Sequence, residues 1–421
     1  MQNHAQSNTA HASPSSARTR ARSLNRLAFT LLAIEFLDEL VDGSRQAAWP
    51  LIRRDLALSY SEVGLLLAVP SLLANFVEAP LFILGDTRHR RSIILAGGAC
   101  FALSLLLVAL SNGFAFLLVA FVLFNPAAGA FVSLSQAVLM DAAPARREHN
   151  MARWAFAGAL GSVAGALALN ASVAAGATWR LWFGAMSVFS LLLFVAARRV
   201  VRDVPRAATV AASSVVADAN AERVSFRRSA AEALRALGRR GGVRRWLVLL
   251  EFSDLMLDGF HGFLALYFVD VVGVSASQAA LAIAVWTGVG LCGDLLLIPL
   301  LERVRGLTYL RLSACVMLCL FPAFLLAPNV YAKLVLLALM GITNAGWYSI
   351  LKAQLYASMP EQSGAVLALN NVSGLAGALV PLALGLFAER FGLAAMMWFL
   401  LAGPLALLFA IPRREKSSET W

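Results

Sequence analysis

The residues of this 421-residue chain best placed to do chemistry are carboxylates, set in two apolar segments where charge is expensive. Residues 35–43 run Glu35-Phe36-Leu37-Asp38-Glu39-Leu40-Val41-Asp42-Gly43, and residues 251–259 run Glu251-Phe252-Ser253-Asp254-Leu255-Met256-Leu257-Asp258-Gly259. Both fit E-F-x-D-x-x-x-D-G, and the copies are 251 − 35 = 216 residues apart. On a helix, positions i, i+3 and i+7 share a face, so each copy forms a stripe of acids. Glu35, Asp38, Glu39 and Asp42 fall within about 100° of helix circumference. The second copy keeps Glu251, Asp254 and Asp258, with Leu255 in place of Glu39. A carboxylate at the middle of a bilayer costs roughly 2.5–3.5 kcal/mol on insertion scales, so such residues face a bundle interior or a wet cavity. Neighbouring carboxylates in a low dielectric cannot all ionise, and their titrations are coupled. That chemistry suits a proton carrier: the cluster holds protons in one state and releases them when a cavity opens or a cation arrives.

The elements that must carry these stripes are membrane helices. The chain is 60% apolar and 14% charged, with a mean hydropathy of +0.73, which fits a polytopic membrane protein rather than a soluble domain. Twelve segments are long enough to span a ~30 Å hydrocarbon core. They lie near 27–51, 60–84, 92–110, 113–140, 151–175, 179–198, 246–271, 276–301, 308–327, 331–357, 364–388 and 393–411. The expected organisation is a disordered basic tail (1–24), a six-helix half (25–198), a linker (199–245), a second six-helix half (246–411) and a C-terminal tail (412–421). The linker carries eleven arginines against four acids, and Ser225 to Gly238 reads as an amphipathic helix on the inner leaflet or as solvated linker.

The net charge of +11 is concentrated in short loops and tails, the positive-inside pattern, and does not point to nucleic acid. Both termini are expected on the cytoplasmic side of the plasma (inner) membrane, with Arg53 and Arg54 as exceptions on the outer side. Cys100, Cys292, Cys315 and Cys319 all lie in apolar segments without metal-ligand spacing, and the five histidines do not cluster. No metal site, enzyme motif or nucleotide site is found, so transport would draw on a proton gradient with no cofactor. A monomer is expected, with the lipid bilayer and a small-molecule substrate as its partners.

The offset of 216 extends well beyond the acidic motif. Glu78 falls on Asp294, Asp86 on Glu302, Gln136 on Lys352, Pro144 on Pro360, Gly158 on Gly374 and Gly161 on Gly377. An ungapped offset of this reach marks an internal repeat. Since both halves begin on the same side, the repeats are parallel, related by an axis normal to the membrane.

Twelve spans, a basic central loop and parallel halves resemble the major facilitator superfamily (MFS), drug/proton antiporters in particular, over nearly the whole chain. The family's loop G-x-x-x-D-R-x-G-R-R corresponds to Phe82-Ile83-Leu84-Gly85-Asp86-Thr87-Arg88-His89-Arg90-Arg91. Asp86, Arg90 and Arg91 match, while Phe82, Thr87 and His89 depart from it. The second half offers Glu302 followed by Arg303. The resemblance implies a gating latch at these five charges. The run Gly158-Ala159-Leu160-Gly161-Ser162-Val163-Ala164-Gly165 is similar to the glycine signature of family exporters without its proline, and small residues at this spacing also serve plain helix packing.

The resemblance further implies that the first, fourth, seventh and tenth spans line a central cavity. Glu35, Asp38, Asp42, Glu251, Asp254, Asp258 and Lys352 are then the proton-coupling and substrate residues. Glu39, Glu78, Asp294, Trp286, Asn344, Trp347 and Tyr348 are the cavity lining, with the aromatic rings able to stack a cationic or aromatic solute. The leading expectation is export of a small cationic or neutral organic compound in exchange for protons. The alternatives are divalent-cation transport, for which hard oxygen ligands are suited, and a lipid-handling or sensing protein that uses the basic linker.

Overall fold

The computed structural model describes residues 14–85, 89–142, 147–200, 241–358 and 374–412. Among these, twelve helical rods follow one another. The first six are α1 (Pro14–Asp55), α2 (Tyr60–Gly85), α3 (Arg90–Leu110), α4 (Phe114–Ala142), α5 (Arg147–Ala174) and α6 (Trp179–Val200). The second six are α7 (241–271), α8 (Ala276–Leu301), α9 (Gly306–Leu326), α10 (330–357), α11 (Gly374–Phe391) and α12 (Leu393–Ala410). Ten of them are long and apolar enough to cross a membrane. The other two, α1 and α7, carry the acidic stripes.

Helix α1 begins at Pro14, so residues 14–24, read from the sequence as tail, are helical. Proline suits a helix start, and the Ala and Arg residues that follow favour continuation. Helix α7 begins five residues earlier than expected, at Gly241, and α11 runs three residues further, to Phe391. The proposed amphipathic segment 225–238 and most of the linker lie outside the described residues.

The packing repeats as the sequence does. Helix α3 packs on α4 and α6, and α9 on α10 and α12; α2 packs on α4, and α8 on α10. The halves meet through α2 on α11 and α5 on α8, two contacts that a two-fold relation between the repeats would interchange.

Within the first half, α1 and α5 pack most extensively. A Cβ on Gly161 would collide with the Phe36 carbonyl, one on Gly165 with the Leu40 carbonyl, and one on Gly43 with the Ser162 carbonyl. The Ser44 hydroxyl, in the same seam, lies 2.7 Å from the Leu40 carbonyl and 3.0 Å from that of Gly165. Small residues thus bring the two backbones together, as membrane helices require in the absence of a hydrophobic drive between them.

The halves are fastened at the ends of α1 and α7 away from the termini. Arg53 donates to Asp270 at 2.7 Å and its guanidinium lies 4.0 Å from the centre of the Tyr60 ring. The Tyr60 hydroxyl donates to Asp270 at 3.0 Å, and its backbone N–H donates to Glu389 at 2.8 Å. One turn along, Gly64 and Gly385 let α2 and α11 touch backbone to backbone. Ser277 of α8 hydrogen-bonds Asn170 of α5 at the same level. Arg53, an exception to the positive-inside pattern, is therefore neutralised by an acid from the other half.

Candidate functional site

A cavity of about 490 Å³ opens within the first half. Glu35, Asp38, Glu39 and Asp42 line one wall from α1, and Arg45 extends that stripe by one turn. Helix α2 adds Ser71, Asn75 and Glu78, α4 adds Asn125, Ser133 and Gln136, and α5 adds Trp154. Five carboxylates and one guanidinium therefore share this space.

Local structure fixes several of these groups. Asp42 is ion-paired with Arg45 one turn away, with the Gln46 side chain close by. The Glu35 carboxylate lies beside the buried Trp154 and where a Cβ on Gly158 would stand, 2.7 Å from Oε1. Glu78 lies over Gly129, whose missing side chain leaves room for the carboxylate. Gly129 begins a π-helical turn, Gly129–Ser133, inside α4. Such turns carry one extra residue and re-aim the side chains beyond them.

The second half holds the matching acids in a different local setting. Helix α7 is interrupted by a π-turn at Leu255–Gly259. Asp254 lies within electrostatic range of Asp258, Glu251 and Lys352. Glu251 approaches Gly377, a contact that mirrors Glu35 on Gly158 to within a turn. Asp294 accepts from the Gly346 N–H at 3.0 Å, where α10 breaks between Asn344 and Trp347. Glu78 and Asp294, equivalent in the repeat, thus each sit on a glycine at an irregular turn of the facing helix. Lys352 donates to the Tyr348 hydroxyl at 3.0 Å and lies 4.9 Å from its ring centre.

Between the stripes, α1 and α7 come together. Asp42 lies within electrostatic range of Asp258 and His261. Arg45 Nε, Gln46 Oε1 and His261 Nε2 are buried there without hydrogen-bond partners. The two acidic stripes therefore approach each other at a polar seam between the halves, while the lining of the first-half cavity comes from α1, α2, α4 and α5.

A family model for the Major Facilitator Superfamily matches residues 31–381. The chain belongs to the major facilitator superfamily. No curated protein matches it in sequence. Among solved structures, a bacterial homologue of the human lysosomal transporter Spinster, inward-facing and unoccupied, is similar with a TM-score of 0.68 at 16% identity over 95% of each chain. The nucleoside transporter NupG gives 0.72 at 14% identity, over 91% of this chain and 98% of that one. A D-xylose-proton symporter gives 0.68 at 17%, over 92% and 96%. At such identities the likeness is one of fold. The protein is a multi-pass membrane transporter of the MFS, built from helices in two repeated halves.

Within this MFS frame the remaining sequence candidates are distributed as follows. Trp286 is buried edge-on against Phe260, with ring centres 5.0 Å apart. Trp347 is fully buried and donates to Ser313 at 2.8 Å. Both are packed inside the second half. Asn344 is buried, and neither polar atom of its amide has a partner. Of the expected latch, Asp86 lies outside the described residues, Arg90 pairs with Asp141 at 2.7 Å, and Arg91 is exposed. Glu302 and Arg303 are exposed and form no ion pair with a described residue. Arg45, Trp154, Asn75 and Asn125 are cavity residues that the sequence reading did not place there. For Asn75 and Asn125 a signal existed, an amide inside an apolar run. For Trp154 there was none, since an indole in a membrane segment ordinarily packs or lies at the interface.

Proposed function

We propose that the protein is a proton-coupled secondary active transporter that exports a small cationic or neutral organic solute by alternating access. The observation that carries this reading is the cavity lining itself: four carboxylates and one guanidinium from α1, with Glu78 of α2 as a fifth acid, and a matching acidic stripe on α7, the repeat partner of α1. An excess of carboxylate over cation favours a positively charged or neutral solute and supplies sites that exchange protons for it. Glu35, Asp38, Asp42, Glu251, Asp254, Asp258 and Lys352 carry coupling and substrate binding in this proposal. Arginines at the helix ends near the termini, among them Arg91, Arg198, Arg199, Arg303 and Arg305, support cytoplasmic termini in the plasma membrane. The fastening of the halves at the opposite ends is in keeping with a cytoplasm-open state in this proposal.

The test is proton flux in inverted vesicles holding a preset pH gradient, challenged in turn with organic cations, neutral organic compounds and divalent metals. Collapse of the gradient by organic cations in the wild type, lost in Asp38→Asn/Asp254→Asn, is the expected result. Collapse by divalent metals alone would replace the substrate class. A gradient unaffected by every compound would overturn antiport.

A further inference from the structure

We propose that a notch between α3 and α6, at the ends nearest the chain termini, binds the phosphate headgroup of an anionic phospholipid. The notch has a volume of about 580 Å³ and is lined by Arg91, Val195, Arg198 and Arg199. None of these residues lines the acidic cavity. All three arginines are exposed, and none pairs with an acid among the described residues.

Other arginines on the same helices are treated differently. Arg90, next to Arg91, is held by Asp141. Arg180, at the opposite end of α6, is ion-paired with Asp55 and donates to the Ser111 carbonyl at 2.9 Å. The notch is the place on this helix pair where three guanidinium groups gather with no carboxylate in the lining.

Its position identifies the class of ligand. On α6, Leu181, Val188, Leu192, Val195 and Arg199 fall on one helical face, and the four apolar residues are 40–66% exposed. On α3, the exposed residues after Arg91 are Ser92, the small Ala96 and Ala99, and then Leu103, Leu106 and Leu110. Two apolar stripes, one of them shallow where the alanines lie, therefore run along the lipid-facing surface and end in arginines. A molecule that satisfies both parts has acyl chains and an anionic head. Guanidinium groups bind phosphate through paired, charge-assisted N–H···O bonds, which favours the phosphodiester over other headgroup atoms. A zwitterionic lipid brings its own ammonium into the same notch, whereas phosphatidylglycerol does not.

The experiment is native mass spectrometry of the full chain, released from nanodiscs containing equal phosphatidylglycerol and phosphatidylcholine. The wild type is expected to retain phosphatidylglycerol preferentially. Each of Arg91→Gln, Arg198→Gln and Arg199→Gln should weaken that retention about fivefold, the effect of one basic residue near an anionic surface. The triple variant should show no preference between the two lipids. The single variants keep the test informative if the triple variant fails to fold. Arg303→Gln/Arg305→Gln, exposed cations at the same level in the second half, should leave retention unchanged. An unaltered preference in the triple variant would overturn the site, as would equal loss in the Arg303/Arg305 control. Displacement of the lipid by millimolar glycerol phosphate would instead make the notch a soluble-phosphate site and defeat the lipid assignment.

Discussion

Asp42 has a guanidinium partner in Arg45, whereas Asp38, one turn earlier on the same face, forms no ion pair with any described residue. The two acids therefore have different work available to them. Asp42 is tied into a seam with Arg45, Gln46 and His261, whereas Asp38 lines the cavity and is the acid that the proposed mechanism assigns to proton exchange. Asp38→Asn is expected to lower proton-coupled flux at least about tenfold, a barrier change of roughly 1.4 kcal/mol, with the folded yield unchanged. Wild-type flux in that variant would remove Asp38 from the coupling path. The Asp42–Arg45 pair makes a separate claim on stability. Contacting charged residues commonly couple by about 0.5–3 kcal/mol. Arg45→Ala and Asp42→Ala should each lower the unfolding midpoint, and the double variant should lose less than the sum of the two. Strict additivity in that double-mutant cycle would show the pair to be energetically idle.

Helices α1 and α5 show what a glycine run does when the proline of the exporter signature is missing. Gly161 and Gly165 on one side and Gly43 on the other place backbone against backbone, which holds the acidic stripe at a fixed distance from Trp154 and the floor of the cavity. Gly161→Leu is expected to destabilise the protein by about 1–3 kcal/mol, the usual effect of overpacking. Gly242→Ala, on α7 with open space around it, should be neutral or slightly stabilising. Thermal unfolding in detergent reads both, and an unchanged midpoint for Gly161→Leu would mean that the seam yields. Much of this architecture was legible in the sequence, because membrane helices are read from long apolar runs, and a constant offset of 216 survives wherever no residue is inserted. What escaped the sequence depends on local departures from the α-helix. Nothing in Leu255–Gly259 or Gly129–Ser133 announces a π-turn, and the break at residues 345–346 of α10 has no proline to mark it. Those turns decide which way Asp258 and the end of α4 point. Trp286 and Trp347 lie near polar residues in the sequence, but depth within a bundle depends on helix rotation, which periodicity alone leaves open.

At the scale of the whole molecule, the two halves are joined at one end by Arg53, Tyr60, Asp270 and Glu389, and the proposed alternating access would require that junction to part. Its strength must therefore be modest. A partly exposed ion pair contributes about 0.2–1 kcal/mol. Arg53 and Asp270 retain 27% and 24% side-chain exposure, so solvent screens them. The Arg53–Tyr60 cation–π contact joins α1 to α2 within the first half, so it orients the guanidinium but is not broken when the halves part. The Arg53–Asp270 pair therefore amounts to at most about fivefold in an equilibrium between closed and open ends, enough to bias the conformation without locking it. Asp270 is the residue to remove, because it alone accepts from both Arg53 and the Tyr60 hydroxyl. Spin labels at Thr178 in the first half and Pro328 in the second, on a background free of the four native cysteines, report the separation of these ends. Asp270→Asn should move several-fold more of the population to the longer distance, and Arg53→Gln should do the same to a similar degree, because each breaks the same bond. Identical distance distributions in wild type and both variants would show that the backbone contact of Gly64 with Gly385 holds the halves closed by itself. The charges would then merely decorate a seam that small residues have already made.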